Sequence, residues 1–343
     1  MLLSCQIMAK VRWGVLGCAS FARRRTIPAM LEAPSVELVG VASRSPDKAE
    51  SFRSQFSLPR AYQSYEEMLD DPEIQAIYNP LPNGLHGYWM MRAAEKGKHT
   101  LCEKPFASNA AEAERVAETG RRTGVKLMEG FMWRFHPQHL RARQIIESGG
   151  IGAARLIRAA FSFALPRQPN VRLNPALAGG SVMDIGCYPI SASRFYFAAE
   201  PATAYALGEI DPEHGVDMRM SGLLDFPRGR ALIDCGFDLP YRTSVEIVGE
   251  KGTIFIPKAW LPEEEAEIMV DGEREKLPRA NQYVNEFEHF SQCVLQDTPP
   301  RYGPDDAILQ MRVIDAVLRS IRSRQPEPVS DLRHQGSDLR PEA

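Results

Sequence analysis

The residues most able to do chemistry in this chain are a lysine at 104 and an aspartate and a tyrosine four positions apart, at 184 and 188. Lys104 sits in Glu103-Lys104-Pro105, and the other two in Asp184-Ile185-Gly186-Cys187-Tyr188. A phenol can give a proton to a nascent alkoxide or take one from a carbinol. An ammonium beside it can hold that oxygen and stabilise its developing charge. Asp184 would orient Lys104 or a substrate hydroxyl. Each residue also has a plainer reading: a solvated lysine before a turn, a helix N-cap at Asp184, and a core tyrosine with a satisfied hydroxyl.

The elements that must bring these groups together fall into two kinds. Apolar runs at 11–16, 36–42, 76–78, 99–102 and 126–129 read as buried strands. Between them, helical patterns fill 21–33, 46–56, 65–69, 85–95 and 109–123, with Gly97 and Gly124 as stops. Strands alternating with helices at this spacing indicate a parallel, doubly wound sheet. After about Phe131 the pattern changes. A helix over 140–146 precedes alternating stretches at 155–165, 217–226 and 230–237. A hairpin follows over 244–256, then a turn at Asp271-Gly272 and helices at 285–295 and 304–321. Alternation of this kind predicts an open, mostly antiparallel sheet with one covered face. The expected organisation is an α/β Rossmann domain over 1–131, an α+β domain over 132–323 and a loosely held tail over 324–343. Met8, just before the first strand, is read as an alternative start.

Gly17-Cys18-Ala19-Ser20-Phe21-Ala22 follows the first strand and opens the first helix. Its form is G-x-A-x-x-A, against the dinucleotide fingerprint G-x-G-x-x-G/A. Gly17 permits the sharp turn, Ala19 stands where the second glycine lets a pyrophosphate approach, and the amides of the helix N-terminus would hold its phosphates. An NAD site normally ends its second strand in Asp or Glu, but this chain has Ser43-Arg44-Ser45. Guanidinium and hydroxyl donors bind a 2′-phosphate that a carboxylate would repel. NADP is therefore expected over NAD. Pro80 and Leu81, in the loop after the third strand, would line the cofactor's underside. Asn83 and His86 would meet ribose or substrate hydroxyls, or else be a helix cap and a surface histidine. With a nicotinamide present, Lys104 and the oxidised ring would favour the Tyr188 phenolate and Asp184 would oppose it.

With these marks in order, the chain resembles the Gfo/Idh/MocA family over about 11–321. The resemblance rests on Gly17-Cys18-Ala19, Pro80-Leu81-Pro82-Asn83 with His86, Gly97 to Pro105, Phe131 to Pro137 and Gly179 to Tyr188. It implies a Rossmann domain followed by an open sheet often used for dimerisation, with Lys104 as the catalytic lysine before a cis peptide bond. Tyr188, where many members carry His, points to the branch of glucose–fructose oxidoreductase, dimeric dihydrodiol dehydrogenase, pentose dehydrogenases and a deoxysugar 3-ketoreductase, commonly NADP users. Glu103 and Arg134 are assigned to the cofactor side, Arg134 having a structural ion pair as its alternative. Trp133 and Arg172 are assigned to the substrate, with His136 and Tyr283 as weaker candidates. Hydride exchange with a sugar, sugar derivative or cyclitol is the expected reaction. The alternatives are a trans-dihydrodiol substrate and a cofactor-binding sensor without turnover.

Bulk composition narrows the field. A net charge of −3 gives no electrostatic reason to expect nucleic acid or an anionic membrane. No apolar run approaches a membrane span. Six scattered cysteines without a C-x-x-C pair suggest neither a metal site nor a disulfide scaffold. A cytoplasmic homodimer or homotetramer is the expectation.

Overall fold

The computed structural model describes residues 9–166, 170–262 and 266–329. The alternative start at Met8 and the tail beyond 329 lie outside them. Six strands form the first sheet: β1 (Val11–Leu16), β2 (Val36–Ala42), β3 (Arg60–Tyr62), β4 (Ala76–Asn79), β5 (His99–Glu103) and β6 (Leu127–Gly130). Their order is β3-β2-β1-β4-β5-β6, and every pairing is parallel. Helices α1 (Ile27–Glu32), α2 (Pro46–Phe56), α3 (Tyr65–Asp70), α4 (His86–Glu95) and α5 (Ala110–Thr123) connect them. Both faces are covered, which is why β1 and β4 are almost wholly apolar. The short β3 lacks an apolar run and was not legible in the sequence.

Helix α6 (Pro137–Glu147) leads into the second sheet, capped by His136 Nδ1, which accepts from Gln138 N. This sheet holds β7 (Ala154–Ala164), β8 (Thr203–Ile210), β9 (Asp217–Phe226), β10 (Gly229–Gly236), β11 (Asp238–Gly249), β12 (Thr253–Ile256), β13 (Ala266–Val270), β14 (Glu273–Leu277) and β15 (Glu327–Pro328). The order is β14-β13-β12-β11-β7-β10-β9-β8-β15, antiparallel except for β7 with β10. Helices α7 (Cys187–Phe197) and α9 (Pro304–Ser323) cover one face. The other face shows cross-strand charge pairs such as Arg242–Asp234 and Arg158–Glu246, interleaved with exposed Leu207, Leu232 and Tyr241. The expected loose tail is in part a strand, since Glu327 and Pro328 pair with Ala204 and Thr203 on β8.

Helix α8 (Gln282–Leu295) crosses back to the first domain. Its Phe287 packs edge-on and its Phe290 tilted against Trp13, whose indole donates to Ser291 Oγ at 3.1 Å. Glu288 takes both the amide and the hydroxyl of Ser35. This clamp ties the two domains together and helps set the cleft between them.

Candidate active site

Two helix starts are shaped alike, and both present functional residues. Ala22–Thr26 and Val182–Gly186 are wide π-type turns that run straight into α1 and α7. Each precedes a proline, Pro28 or Pro189, near the start of the regular helix. Proline lacks an N–H and its ring crowds the carbonyl four residues back, and a wider turn is a local geometry that accommodates this and recurs at functional sites. The uncertain helix start near Asp184 is resolved in this way. Asp184 lies inside the wide turn and caps nothing.

Freed from capping, the Asp184 carboxylate turns toward Lys104. Nζ of Lys104 donates to Asp184 O at 2.7 Å and to its Oδ1 at 3.3 Å, while Arg172 Nε donates to Oδ2 at 2.6 Å. Burial disfavours the Asp184 charge, but Lys104 and Arg172 outweigh it and hold the acid below its ordinary range. Burial likewise opposes the Lys104 ammonium, yet Asp184 above all keeps it above the usual lysine value. The Lys104–Pro105 peptide is cis.

Tyr188 lies against these groups with a different balance. The Lys104 ammonium stands over its ring, 5.2 Å from the centroid. The ring is walled by Phe131, Phe161 and Trp260 at 5.2–5.5 Å. Burial, followed by nearby Tyr283 and Glu103, pushes the phenol well above its ordinary value. The Lys104 cation faces the ring, and desolvation works against the phenolate that Lys104 and an oxidised nicotinamide were expected to favour. Glu103 accepts from the Tyr78 hydroxyl at 2.7 Å and is itself pushed up by burial.

The nucleotide side is built around Gly17. Its φ of +91° suits glycine, and a Cβ there would lie 2.8 Å from Leu81 Cδ2. The following turn, Cys18 to Ala22, leads into a helix whose first amides lack intrahelical partners, a geometry that fits a pyrophosphate. Burial drives the Cys18 thiol up to about 11, so it is an inert small side chain despite its exposed flank. Ser43 Oγ accepts from Ser45 N at 3.2 Å. Arg44 is exposed and acts on the Tyr65 hydroxyl, and Lys48 on the first turn of α2 acts on Cys18. Sequence reasoning missed Lys48 and Tyr65. The signal available was a second cation one helical turn beyond Arg44. Hydroxyls and two cations at one strand end fit the 2′-phosphate of NADP.

Other expected contacts fall elsewhere. His86 is fully buried, with Nδ1 and Nε2 each 2.7 Å from a carbonyl oxygen, of Pro105 and Leu81, and burial lowers it to about 4. It braces the loop that carries Lys104 and is neither a surface residue nor open to a ribose. Asn83 spends its Nδ2 on Ala178 O at 3.0 Å. Arg134 is buried, pairs with Asp306 and donates to Ser191 Oγ, with its cation over Phe131 and Tyr302. The structural ion pair is therefore present, and the guanidinium is almost wholly enclosed by protein. Trp133 is fully buried among His139, Phe195 and Trp260, so it is core and not a substrate wall. His136 is a buried helix cap. Tyr283 packs on Phe21 at 5.8 Å, beside the cofactor turn.

Comparison with known proteins agrees with the two-domain fold. Residues 11–131 match the oxidoreductase family with an NAD-binding Rossmann fold, and 139–255 match the GFO/IDH/MocA C-terminal domain. The chain is 37% identical over 316 residues to D-xylose 1-dehydrogenase (NADP(+)) 2 of Haloferax volcanii, covering 90% of this chain and 96% of the other. It is 37% identical over 303 residues to a dTDP-3,4-didehydro-2,6-dideoxy-alpha-D-glucose 3-reductase of Saccharopolyspora spinosa, covering 86% and 90%. The structure of KijD10, a 3-ketoreductase from Actinomadura kijaniata in complex with NADP and TDP-benzene, superposes with a TM-score of 0.86 at 30% identity, over 91% of this chain and 98% of that one. On the fold, the paired domains and these relatives, the chain belongs to the Gfo/Idh/MocA family of oxidoreductases.

Proposed function

We propose that the chain is an NADP-dependent oxidoreductase that interconverts a carbinol and a carbonyl in a sugar, sugar derivative or cyclitol. The observation that carries this reading is the convergence of Lys104, Asp184 and Tyr188 from two domains at the carboxyl ends of β4 and β5, where open parallel sheets bind ligands. Gly17 to Ala22 would hold the pyrophosphate, and Ser43, Arg44 and Lys48 the 2′-phosphate. The cofactor, when bound, supplies or accepts the hydride.

The chain's own groups do the rest. Lys104, charged, holds the reacting oxygen and stabilises negative charge on it. Tyr188, protonated, delivers a proton to that oxygen. A charged amine and a neutral phenol serve reduction by giving the proton to the nascent alkoxide, and the same phenol serves oxidation by taking it back. Asp184 borders the same space and suits a substrate bearing hydroxyls, because a site built to bond hydroxyls rejects analogues that lack them.

A panel of keto-sugars, aldoses, inositols and trans-dihydrodiols, assayed in both directions by nicotinamide absorbance, tests the reading. Turnover of a keto-sugar with NADPH is expected. Cofactor binding without turnover across the panel would leave the sensor reading in its place. The open face of the second sheet supports self-association into a dimer or tetramer. It carries a shallow groove of about 430 Å³ that is lined by Leu232, Asp234, Arg242 and Phe255, too open to enclose a small molecule. Sedimentation of the chain against a Leu232→Glu, Tyr241→Glu variant checks it.

A further inference from the structure

Arg172 stands on a segment, 170–180, that reaches from one domain to the other. On the nucleotide-binding side, Asn83 Nδ2 donates to Ala178 O at 3.0 Å, and Leu177 packs so closely that a Cβ on Gly84 would sit 2.8 Å from its Cα. On the other side, Gly180 N donates to Arg172 O at 2.8 Å, and a Cβ on Gly179 would stand 2.5 Å from that same oxygen. Asn170 Oδ1 accepts from Arg172 N at 3.0 Å. The backbone of Arg172 is therefore pinned before its side chain is considered. That side chain spans to Asp184, and among the described residues Asp184 is its one ion-pair partner.

Two cations from two domains thus share one carboxylate, each on its own oxygen. The last torsion of an aspartate is broad and two-fold, so a single contact to Lys104 would leave the carboxylate plane loosely set. A guanidinium arrives as a rigid, planar donor and fixes that plane. We propose that Arg172 is a positioning residue: by holding Asp184 Oδ2 it sets the carboxylate against which Lys104 is placed, and the strap makes that placement depend on the two domains being closed. This departs from the substrate contact expected of Arg172, and it rests on Lys104 being the group at the reacting oxygen.

The charges make the role measurable. Lys104 is faced by Asp184, Cys187, Glu103 and Arg172, Asp184 by Lys104 and Arg172, and Arg172 by Asp184 and Tyr188. Arg172 opposes the Lys104 proton through its own charge and supports it through the carboxylate it holds, so a variant that keeps the charge and loses the planar fork isolates the positioning.

The test is a pH titration of lysine side chains by NMR on the full chain labelled with 13C- and 15N-lysine, with the Lys104 signal assigned by its loss in Lys104→Met. In Arg172→Lys, which keeps the charge and loses the planar fork, the Lys104 midpoint should fall by roughly half a unit or more as Asp184 is less firmly set against it, and amides of the strap should exchange faster. Arg172→Gln also removes the opposing charge and should lower the midpoint by less. If Arg172→Lys does not fold, Asn83→Ala releases the strap at its other end with every charge kept and must lower the midpoint too. An unmoved midpoint in the folded variant overturns the role. Turnover of Lys104→Ala separates the two ideas: normal turnover there removes the proposed reaction, whereas lost turnover with an unmoved NMR midpoint removes only the part assigned to Arg172.

Discussion

Lys104 Nζ is bonded twice to one residue, donating to both the backbone oxygen and the carboxylate of Asp184 at 2.7 and 3.3 Å. Eighty positions separate the two in sequence, and the bonds bridge the two domains. The amine is thereby held charged and aimed while largely shielded from solvent. Lys104→Ala should lower turnover by at least ~10² while leaving NADP binding measurable, since the cofactor's phosphates are held elsewhere. Steady-state rates with a substrate from the panel, alongside a cofactor titration, check this. Near-normal turnover would discard the mechanism.

Tyr188→Phe isolates the proton. The hydroxyl meets only Met132 Sδ, at 3.7 Å, among the described residues, while the ring makes the packing contacts. The variant should keep its thermal midpoint and lose ~10²-fold or more in reduction rate. Because burial holds the phenol above its ordinary value, the wild-type reduction rate should stay level through neutral pH and fall only in strong alkali. That alkaline fall should vanish in the variant. An unchanged profile would show that Tyr188 does not carry the proton.

Cofactor choice is expected to reside in Arg44 and Lys48. A charge-assisted bond to the 2′-phosphate contributes about 1.5–3 kcal/mol, or roughly ten- to hundredfold in affinity. Arg44→Ala should weaken NADP by about that factor and NAD much less, and Lys48→Ala should act in the same direction. Fluorescence titration with both cofactors decides the matter. Equal losses for both would remove these residues from the site.

Glu129 gives stability an unusual pH dependence. It is buried, accepts from Phe106 N at 2.9 Å through one oxygen, and has no partner for the other among the described residues. Burial lifts it from the ordinary carboxylate range to about 8. The folded state therefore holds a proton that the unfolded chain gives up, and stability falls as pH rises from the ordinary carboxylate range to about 8, then levels. The loss is of the order of a few kcal/mol. Glu129→Gln should flatten this slope, read as denaturant midpoints at about pH 5 and about pH 8. A slope equal to that of the wild type would assign the effect to other groups.

Arg134→Met tests whether the buried pair with Asp306 is structural. Removing one member of a buried pair costs about 3–5 kcal/mol, so the thermal midpoint should drop with NADP affinity unchanged. A variant with intact stability and weakened NADP binding would restore Arg134 to the cofactor site.

Much of the architecture was legible from local pattern. Alternation of apolar runs with helical stretches announced the parallel sheet, and period-two alternation announced β7, β9 and β10, because burial on two faces or one dictates those patterns directly. The Lys104, Asp184 and Tyr188 set could be read from residue types and order. What the tertiary structure decided was everything that depends on neighbours distant in sequence. Arg134 finds Asp306 across more than 170 positions, Trp133 is enclosed by Phe195 and Trp260, and α8 returns to pack on β1. The proton affinity of Tyr188 belongs to the same class. Its direction is set first by desolvation and then by Tyr283 and Glu103, and these are properties of three-dimensional packing that no stretch of chain encodes alone.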